Sequence, residues 1–476
     1  MAQWQGKPYE GGTAYLGIPY ALPPVGELRF RKPVEVDAIP GRYDRFGPAS
    51  YQWGSDEPMS EDCLYLNLYV PEGAKDLPVL FWIHGGASIV GSGSRPEYDG
   101  RALSREGIIV VTFNHRLGAL GFLAHPSLTE EQGVSGNWGV WDIVAAWNWV
   151  RRNTRQFGGD PDRITMGGQS AGAGATEYLM TYPGVAKHLA GVALMSTSPF
   201  EYRNIPLSLA HYEAQGKDYM ERLGAFTAEE LRAIPAMKWA FDRDFIAQGG
   251  FSFTRDYELF SEGLQDAFHA GHYPKVPMMI GSTLEERCYR MDEECSIEQL
   301  QEEAQRRFGD DAEEFMRLYH PRTAEEAIHC RHEGLGGDRA HAAVRFSARE
   351  AARFQKQVYV YRFAQEPPRA DGRRGSNHSD DVPYWFGALD RFDRPWTERD
   401  RAVSRFMMRS LARFVRTGNP NCPGEQAWPD FTDQEEICLI GPRGCEDIHR
   451  VEDNSQAEKW ALQDKHSSYC HLLNND

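Results

Sequence analysis

The chain has 476 residues, and 52 Lys+Arg against 69 Asp+Glu give it a formal net charge of −17. Hydrophobic residues make up 41% and charged residues 25%, and 46 Gly with 28 Pro fall well short of low-complexity or collagen-like usage, so an ordinary globular chain with a sizeable core is expected. So acidic a balance disfavours a nucleic-acid partner, because phosphate binding needs a basic face.

The N-terminal stretch MAQWQGKPYEGGTAYLGIPY lacks the basic start and apolar h-region of a secretory signal. No apolar run approaches the roughly 18–20 residues needed to cross a bilayer, so a membrane partner is not expected. Continuous apolar runs follow at 79–83 (VLFWI), 108–113 (IIVVTF), 192–195 (VALM), 278–280 (MMI) and 358–363 (VYVYRF). Such runs fit strands of a sheet covered on both faces. Between the second and third, Val140, Ile143, Val144, Trp147 and Val150 share one helical face. A short run at 164–166 then leads into a glycine-rich turn and an Ala-rich helical stretch after Ser170. Strands alternating with helices predict an α/β fold with an open, mostly parallel sheet, whose sites lie at the carboxyl ends of strands.

Residues 203–275 break this rhythm with Trp239, Phe241, Phe245, Phe251, Phe253, Tyr257 and Phe260. They read either as a cap or pocket wall over the sheet or as a helical subcore. The acidic stretch 292–315 reads as a solvated helical face. With no internal repeat and no long linker, residues 1–476 are expected to form one large domain with 203–275 inserted in it.

Gly168-Gln169-Ser170-Ala171-Gly172 is a G-x-S-x-G pattern. A sharp strand-to-helix turn exposes such a serine, and a β-carbon at either glycine would strike neighbouring chain. The bland alternative is a glycine-rich helix entry with a capping serine. Upstream, His84-Gly85-Gly86-Ala87 follows the VLFWI strand, and glycines there let backbone N–H groups turn toward a ligand. Alone, it is also compatible with a plain turn. His84 reads as a structural residue of this loop, and His115 likewise.

Longer segments carry a resemblance. These are 15–30 (YLGIPYALPPVGELRF), Phe46-Gly47-Pro48, 61–69 (EDCLYLNLY), WIHGGA, Asn114-His115-Arg116 and Gly136-Asn137-Trp138-Gly139. Residues 157–172 (FGGDPDRITMGGQSAG), Tyr384-Trp385-Phe386-Gly387 and Thr417-Gly418-Asn419-Pro420 extend the match almost from end to end. The chain resembles the type-B carboxylesterases, the cholinesterase-like branch of the α/β-hydrolases. The resemblance implies an α/β-hydrolase fold with cap segments, and a Ser–Glu–His triad with Ser170 as nucleophile. It implies Glu286 as the acid, with Glu285 the nearby alternative, and His378 as the base. Oxyanion donors are implied at the N–H groups of Gly86, Ala87 and Ala171. Hydrolysis of a small-molecule ester through an acyl-enzyme would then need no metal or organic cofactor.

The chain departs from the family pattern at four places. Gln169 stands where many relatives have Glu, which argues against a dedicated choline esterase. Arg287 replaces the glycine after the acid. Ser88 replaces a bulky aromatic after the HGG(G/A) loop and is expected to leave more room or polarity there. Cys63 matches a cysteine that secreted relatives pair with a second one, but the second position falls on Ser50. Eight cysteines without a C-x-x-C pair fit reduced thiols and a cytoplasmic location. His329, Cys330 and His332, and His466, Cys470 and His471, lack a complete ligand set and read as surface side chains rather than metal sites. A serine carboxylesterase is therefore expected, weighed against an inactive cholinesterase-like binding module and against a lipase. Nothing in the sequence indicates an oligomeric state.

Overall fold

The computed structural model describes residues 3–200, 207–240, 252–286, 289–290, 292–432, 434–467 and 469–470. The chain divides into two compact units, one of Met1–Gly191, Pro206–Ala267 and His272–Pro274, the other of Val192–Ile205, Phe268–Gly271 and Lys275–Asp476.

The first unit holds strands β1 (Gln5–Tyr9), β2 (Gly12–Pro19), β3 (Arg42–Tyr43), β4 (Tyr65–Pro71), β5 (Leu77–Ile83), β6 (Ile109–Phe113) and β7 (Gly159–Gln169). They are ordered β7-β5-β6-β4-β2-β1-β3. The expected apolar runs are the parallel centre: β5 pairs parallel with β6 and with β7, Ile83 lying opposite Gly168. Every residue of β6 is buried, as a strand covered on both faces must be. β4, β2 and β1 add antiparallel pairs outside this centre. β1 and β2 have a weaker apolar pattern because they meet more solvent, β2 alternating buried and partly exposed residues, whereas β4 is buried from Leu66 to Val70 around the polar Asn67. Helix α1 (Trp138–Asn153) buries Val140, Ile143, Val144, Trp147 and Val150, the face its spacing indicates.

The second unit holds β8 (Gly191–Met195), β9 (Met278–Thr283), β10 (Val358–Phe363), β11 (Ile437–Ile440) and β12 (His449–Glu452). β8 through β11 pair parallel in that order, and β12 closes the row antiparallel. The acidic segment forms helices Ile297–Phe308 and Ala312–Tyr319, which keep Leu300, Ala304, Phe308 and Phe315 in a separate apolar cluster and turn their charges outward.

Of the aromatics in 203–275, Phe241, Phe245 and Phe251 lie outside the described residues. Trp239 packs edge-on against Phe30 at 5.4 Å, and Phe260 lies 4.8 Å from Tyr178, so both are subcore residues. Phe253 also packs on Tyr178 but lines a narrow crevice with Ser88, and Tyr257 is exposed.

Candidate active site

In the first unit β7 ends at Gln169, Ser170 turns with φ 55° and ψ −125°, and a helix begins at Ala171 (Ala171–Leu179). This is a sparsely populated conformation for an L-residue, the kind of strain that persists where the surroundings enforce it. The flanking glycines enforce it sterically. A β-carbon on Gly168 would lie 2.4 Å from the Gly172 carbonyl carbon, and one on Gly172 would lie 2.1 Å from the Ile83 oxygen. Neither position has room for alanine. The helix N-terminus beside Ser170 adds a dipole that favours developing negative charge.

The loop after β5 is equally constrained. Gly86, Ala87 and Ser88 follow one another at φ 116°, 54° and 59°. A β-carbon on Gly86 would fall 1.9 Å from the Val90 oxygen, and one on Gly85 would fall 2.3 Å from Gln169 Oε1. Gly86 O accepts from the N–H groups of Ile89 and Val90, both at 3.0 Å, while the N–H groups of Gly86, Ala87 and Ala171 make no loop hydrogen bond with backbone among the described residues. Gly91 N–H donates to Gln52 Oε1 at 2.7 Å and its carbonyl accepts from Gln52 Nε2 at 2.8 Å, which clamps the far end of the loop.

Behind the loop, His84 Nδ1 lies 2.9 Å from the Gly85 carbonyl, and its ring stacks on His115 at 4.5 Å. Burial pushes His84 down to about 4, only partly offset by that hydrogen bond, and pushes His115 well below the usual imidazole range. Both rings are neutral at pH 7 and act as scaffold. Asn114 and Arg116 complete it. Asn114 Oδ1 accepts from Gly93 N–H at 2.8 Å, and the buried Arg116 pairs with Asp142 of α1 at 2.7 Å.

In the second unit the chain leaves β9 at Thr283 and turns at Glu286, whose φ is 55°. The turn is tied reciprocally: Glu286 N–H donates to Thr283 Oγ1 at 3.1 Å and Glu286 Oε1 accepts from Thr283 N–H at 3.0 Å. The other oxygen, Oε2, lies 2.5 Å from His378 Nδ1, and His378 N–H donates to the Glu286 carbonyl at 3.2 Å. Burial opposes the charge on Glu286, but His378, the Thr283 N–H and the nearby Ser196 hydroxyl hold its carboxyl below the usual range. A carboxylate on Nδ1 selects the tautomer that presents Nε2 as a base.

Glu285, the sequence alternative, faces elsewhere. It is fully buried; its Oε1 accepts from Arg443 Nη2 at 2.7 Å and its Oε2 from Ser376 N–H at 3.1 Å. Gly375 (φ 91°) is required beside it, since a β-carbon would fall 1.5 Å from Oε2. Glu285 thus ties down the chain two residues before His378, a role without a sequence signal of its own. Asp380 binds Arg369 and the Asn377 N–H. Asp381 accepts from Tyr361 Oη at 2.7 Å and Trp385 Nε1 at 3.2 Å, and burial raises it to about 6. Arg287 lies outside the described residues.

Glu286 and His378 open onto a cavity of about 420 Å³ in the second unit, lined also by Ser196, Thr197, Ser282 and Arg339. Cys63 is buried, its thiol beside the Ser50 hydroxyl. His332 meets Glu293 at 3.2 Å and His466 meets Asp311 at 2.6 Å; His471 lies outside the described residues. Among the described residues no group of three or more His, Cys, Asp or Glu is placed to hold a metal ion, and no helix is long and apolar enough to cross a membrane.

The model of the carboxylesterase family matches residues 3–462. The chain is 34% identical to fumonisin B1 esterase of Sphingopyxis macrogoltabida, covering 90% of this chain and 83% of that one. It is 31% identical to para-nitrobenzyl esterase of Bacillus subtilis (strain 168), covering 92% of each. A solved PNB esterase structure superposes with a TM-score of 0.78 at 29% identity, covering 97% of this chain and 99% of that one.

Proposed function

The chain belongs to the carboxylesterase family and is a carboxylic ester hydrolase with the α/β-hydrolase fold, and from this premise we propose a serine carboxylesterase that hydrolyses small to medium esters through Ser170, Glu286 and His378. The observation that carries the reading is the Glu286–His378 contact at 2.5 Å, on a histidine whose Nε2 is thereby left as the base. The strained Ser170 at the head of its helix supports it.

In this mechanism His378 takes the Ser170 proton as the oxygen attacks the ester carbonyl, then returns it to the leaving alcohol. Glu286 holds the imidazole in the tautomer this needs and stabilises its cation. The N–H groups of Gly86, Ala87 and Ala171 stabilise the oxyanion, where loss of one donor typically costs about 10²–10³ in rate. Water then repeats the sequence on the acyl-enzyme, releasing a carboxylate. Residues 1–476 act as one catalytic domain in this reading, supported by one family model spanning residues 3–462, with 203–275 inserted in it and Phe253 of that segment on the pocket wall. The free, buried Cys63 beside Ser50 supports a cytoplasmic enzyme.

An ester series varied separately in acyl and alcohol length tests this on wild type and Ser170→Ala. The variant is expected to fold with a wild-type circular dichroism spectrum and to lose nearly all turnover. An acyl adduct on the Ser170 peptide is expected by mass spectrometry after rapid quench. Wild-type rates in Ser170→Ala would end the proposal.

A further inference from the structure

Asp381 is a fully buried carboxyl that the mechanism above does not use. Its Oδ2 accepts from Tyr361 Oη at 2.7 Å and from Trp385 Nε1 at 3.2 Å, while its Oδ1 has no hydrogen-bond partner among the described residues. No Lys or Arg pairs with it among those residues, whereas its neighbour Asp380 has Arg369. Two neutral donors do not offset the desolvation of a carboxylate, and an unbonded oxygen adds to the cost. As a purely structural element such a group is a poor choice, since a neutral side chain of similar size fills the place without a buried charge.

The fold sets this charge beside the Glu286–His378 pair. Asp380 N–H donates to the Asn377 carbonyl at 3.0 Å and Val382 N–H to the Ser379 carbonyl at 3.2 Å, which winds the chain tightly between His378 and Asp381. Tyr361 lies on β10 opposite Gly281 of β9, the strand that runs on into the turn at Glu286. Gly281 leaves the space the tyrosine ring needs, since a β-carbon there would fall 2.2 Å from Tyr361 Cδ1. The titratable groups facing Asp381 are therefore Glu286 from the turn after β9, His378 from its own loop and the Tyr361 phenol from β10. Burial, followed by the charges of Asp381 and Glu286, holds Tyr361 well above the usual phenol range, so it stays a donor. Burial first, then repulsion from Glu286, raises Asp381 to about 6, against the Tyr361 and Trp385 hydrogen bonds and the attraction of His378. At pH 7 Asp381 is thus mostly ionised, and two buried carboxylates face one imidazole.

We propose that Asp381 is a positioning residue of this triad, its carboxylate stabilising, through His378, the imidazolium that forms as Ser170 attacks. The inference rests on the serine esterase reading above. The serine proton moves to His378 Nε2, and Asp381 exchanges no proton in the step. Formation of the cation offsets the mutual repulsion of Asp381 and Glu286, so the resting site carries a strain that the transition state relieves.

The test is the ratio of kcat/KM for wild type to that for Asp381→Asn on phenyl acetate, followed from about pH 5 to about pH 8.5. Asparagine keeps the size of the side chain and an oxygen to accept from Tyr361, and removes only the charge. On the acid side the wild-type carboxyl is as neutral as the amide, so the ratio is expected to be near unity there. It is expected to rise through a midpoint near 6 to about 3–10 on the alkaline side, the effect of about half to one unit of pKa. A structural role predicts the same loss at every pH. A ratio that is flat across the range therefore overturns the inference. Tyr361→Phe is the second arm and decides if Asp381→Asn fails to fold. Without that donor the charged form of Asp381 is less favoured, so the step is expected to move up by about 0.5–1 pH unit. The ratio of wild type to Tyr361→Phe is then expected to peak between the two steps and to return toward unity on both sides; a loss equal at every pH overturns the inference. Turnover that disappears in Ser170→Ala keeps the esterase reading even when these ratios are flat. Persistence of turnover in Ser170→Ala ends both.

Discussion

Neighbouring glutamates with opposite tasks allow a sharp experiment: Glu286→Gln against Glu285→Gln. At Glu286 the amide preserves the bond from Thr283 N–H, which reaches Oε1 at 3.0 Å, but replaces the carboxylate that lies 2.5 Å from His378 Nδ1. A neutral amide donates to Nδ1 as readily as it accepts from it, so the imidazole loses its enforced tautomer. The same exchange in a Ser–His–acid triad costs about 10⁴ in kcat, roughly 5 kcal/mol of barrier, with the geometry intact. At Glu285 the histidine keeps its carboxylate, but a fully buried charge is removed from Arg443. Breaking a buried pair from one side typically costs about 3–5 kcal/mol. Arg443 is 29% exposed and keeps Glu366 at 2.8 Å, which brings the expected loss down to about 1–3 kcal/mol. The Ser376 N–H loses its anionic acceptor as well, and the loosened histidine loop is expected to slow turnover by about tenfold. Burst-calibrated kcat on 4-nitrophenyl acetate and urea midpoints measured on both variants separate the two effects. A larger loss of turnover in Glu285→Gln than in Glu286→Gln would refute the assignment of the acid.

Two further outcomes are expected. Gly172→Ala sets a methyl group 2.1 Å from the Ile83 oxygen and 2.6 Å from the His84 oxygen, whereas Gly174→Ala meets nothing closer than Phe253 Cε2 at 3.8 Å. The first is expected to lose about 3 kcal/mol or more together with activity, the second to stay within about 1 kcal/mol of wild type; equal urea midpoints would contradict the steric account. Folded-state depression of His84 to about 4, with His115 also depressed, means that the unfolded chain binds these protons first as pH falls. Their contribution to stability is complete above the ordinary imidazole range near 6.5 and is lost as pH drops from there toward 4. Urea midpoints followed over this window are expected to fall less steeply in His84→Gln than in wild type, and parallel curves would show that these histidines are not the source.

What could be read in the sequence was local in origin. The strands at 79–83, 108–113, 192–195, 278–280 and 358–363 carry their burial in their own composition, and the structure places strands over all five runs. β2 and β12 went unread because a half-solvated strand leaves only a weak alternation, as in β2. Phe253 could not be told from its aromatic neighbours, since composition does not say which ring reaches a crevice and which joins the subcore.

The sequence by itself determined the glycine spacing around Ser170, because the steric demands of a sharp turn act over a few residues and leave a fixed trace in the chain. It also determined the family, through motifs spread along its whole length. The resemblance implied Glu286 over Glu285, and tertiary structure supplied the reason, since the turn at Glu286 (φ 55°) sends one carboxylate to His378 and leaves its neighbour to Arg443 and Ser376. Tertiary structure alone brought the Tyr361 hydroxyl to Asp381. Contacts between residues far apart in the chain follow from how strands and helices stack, and no local pattern records them.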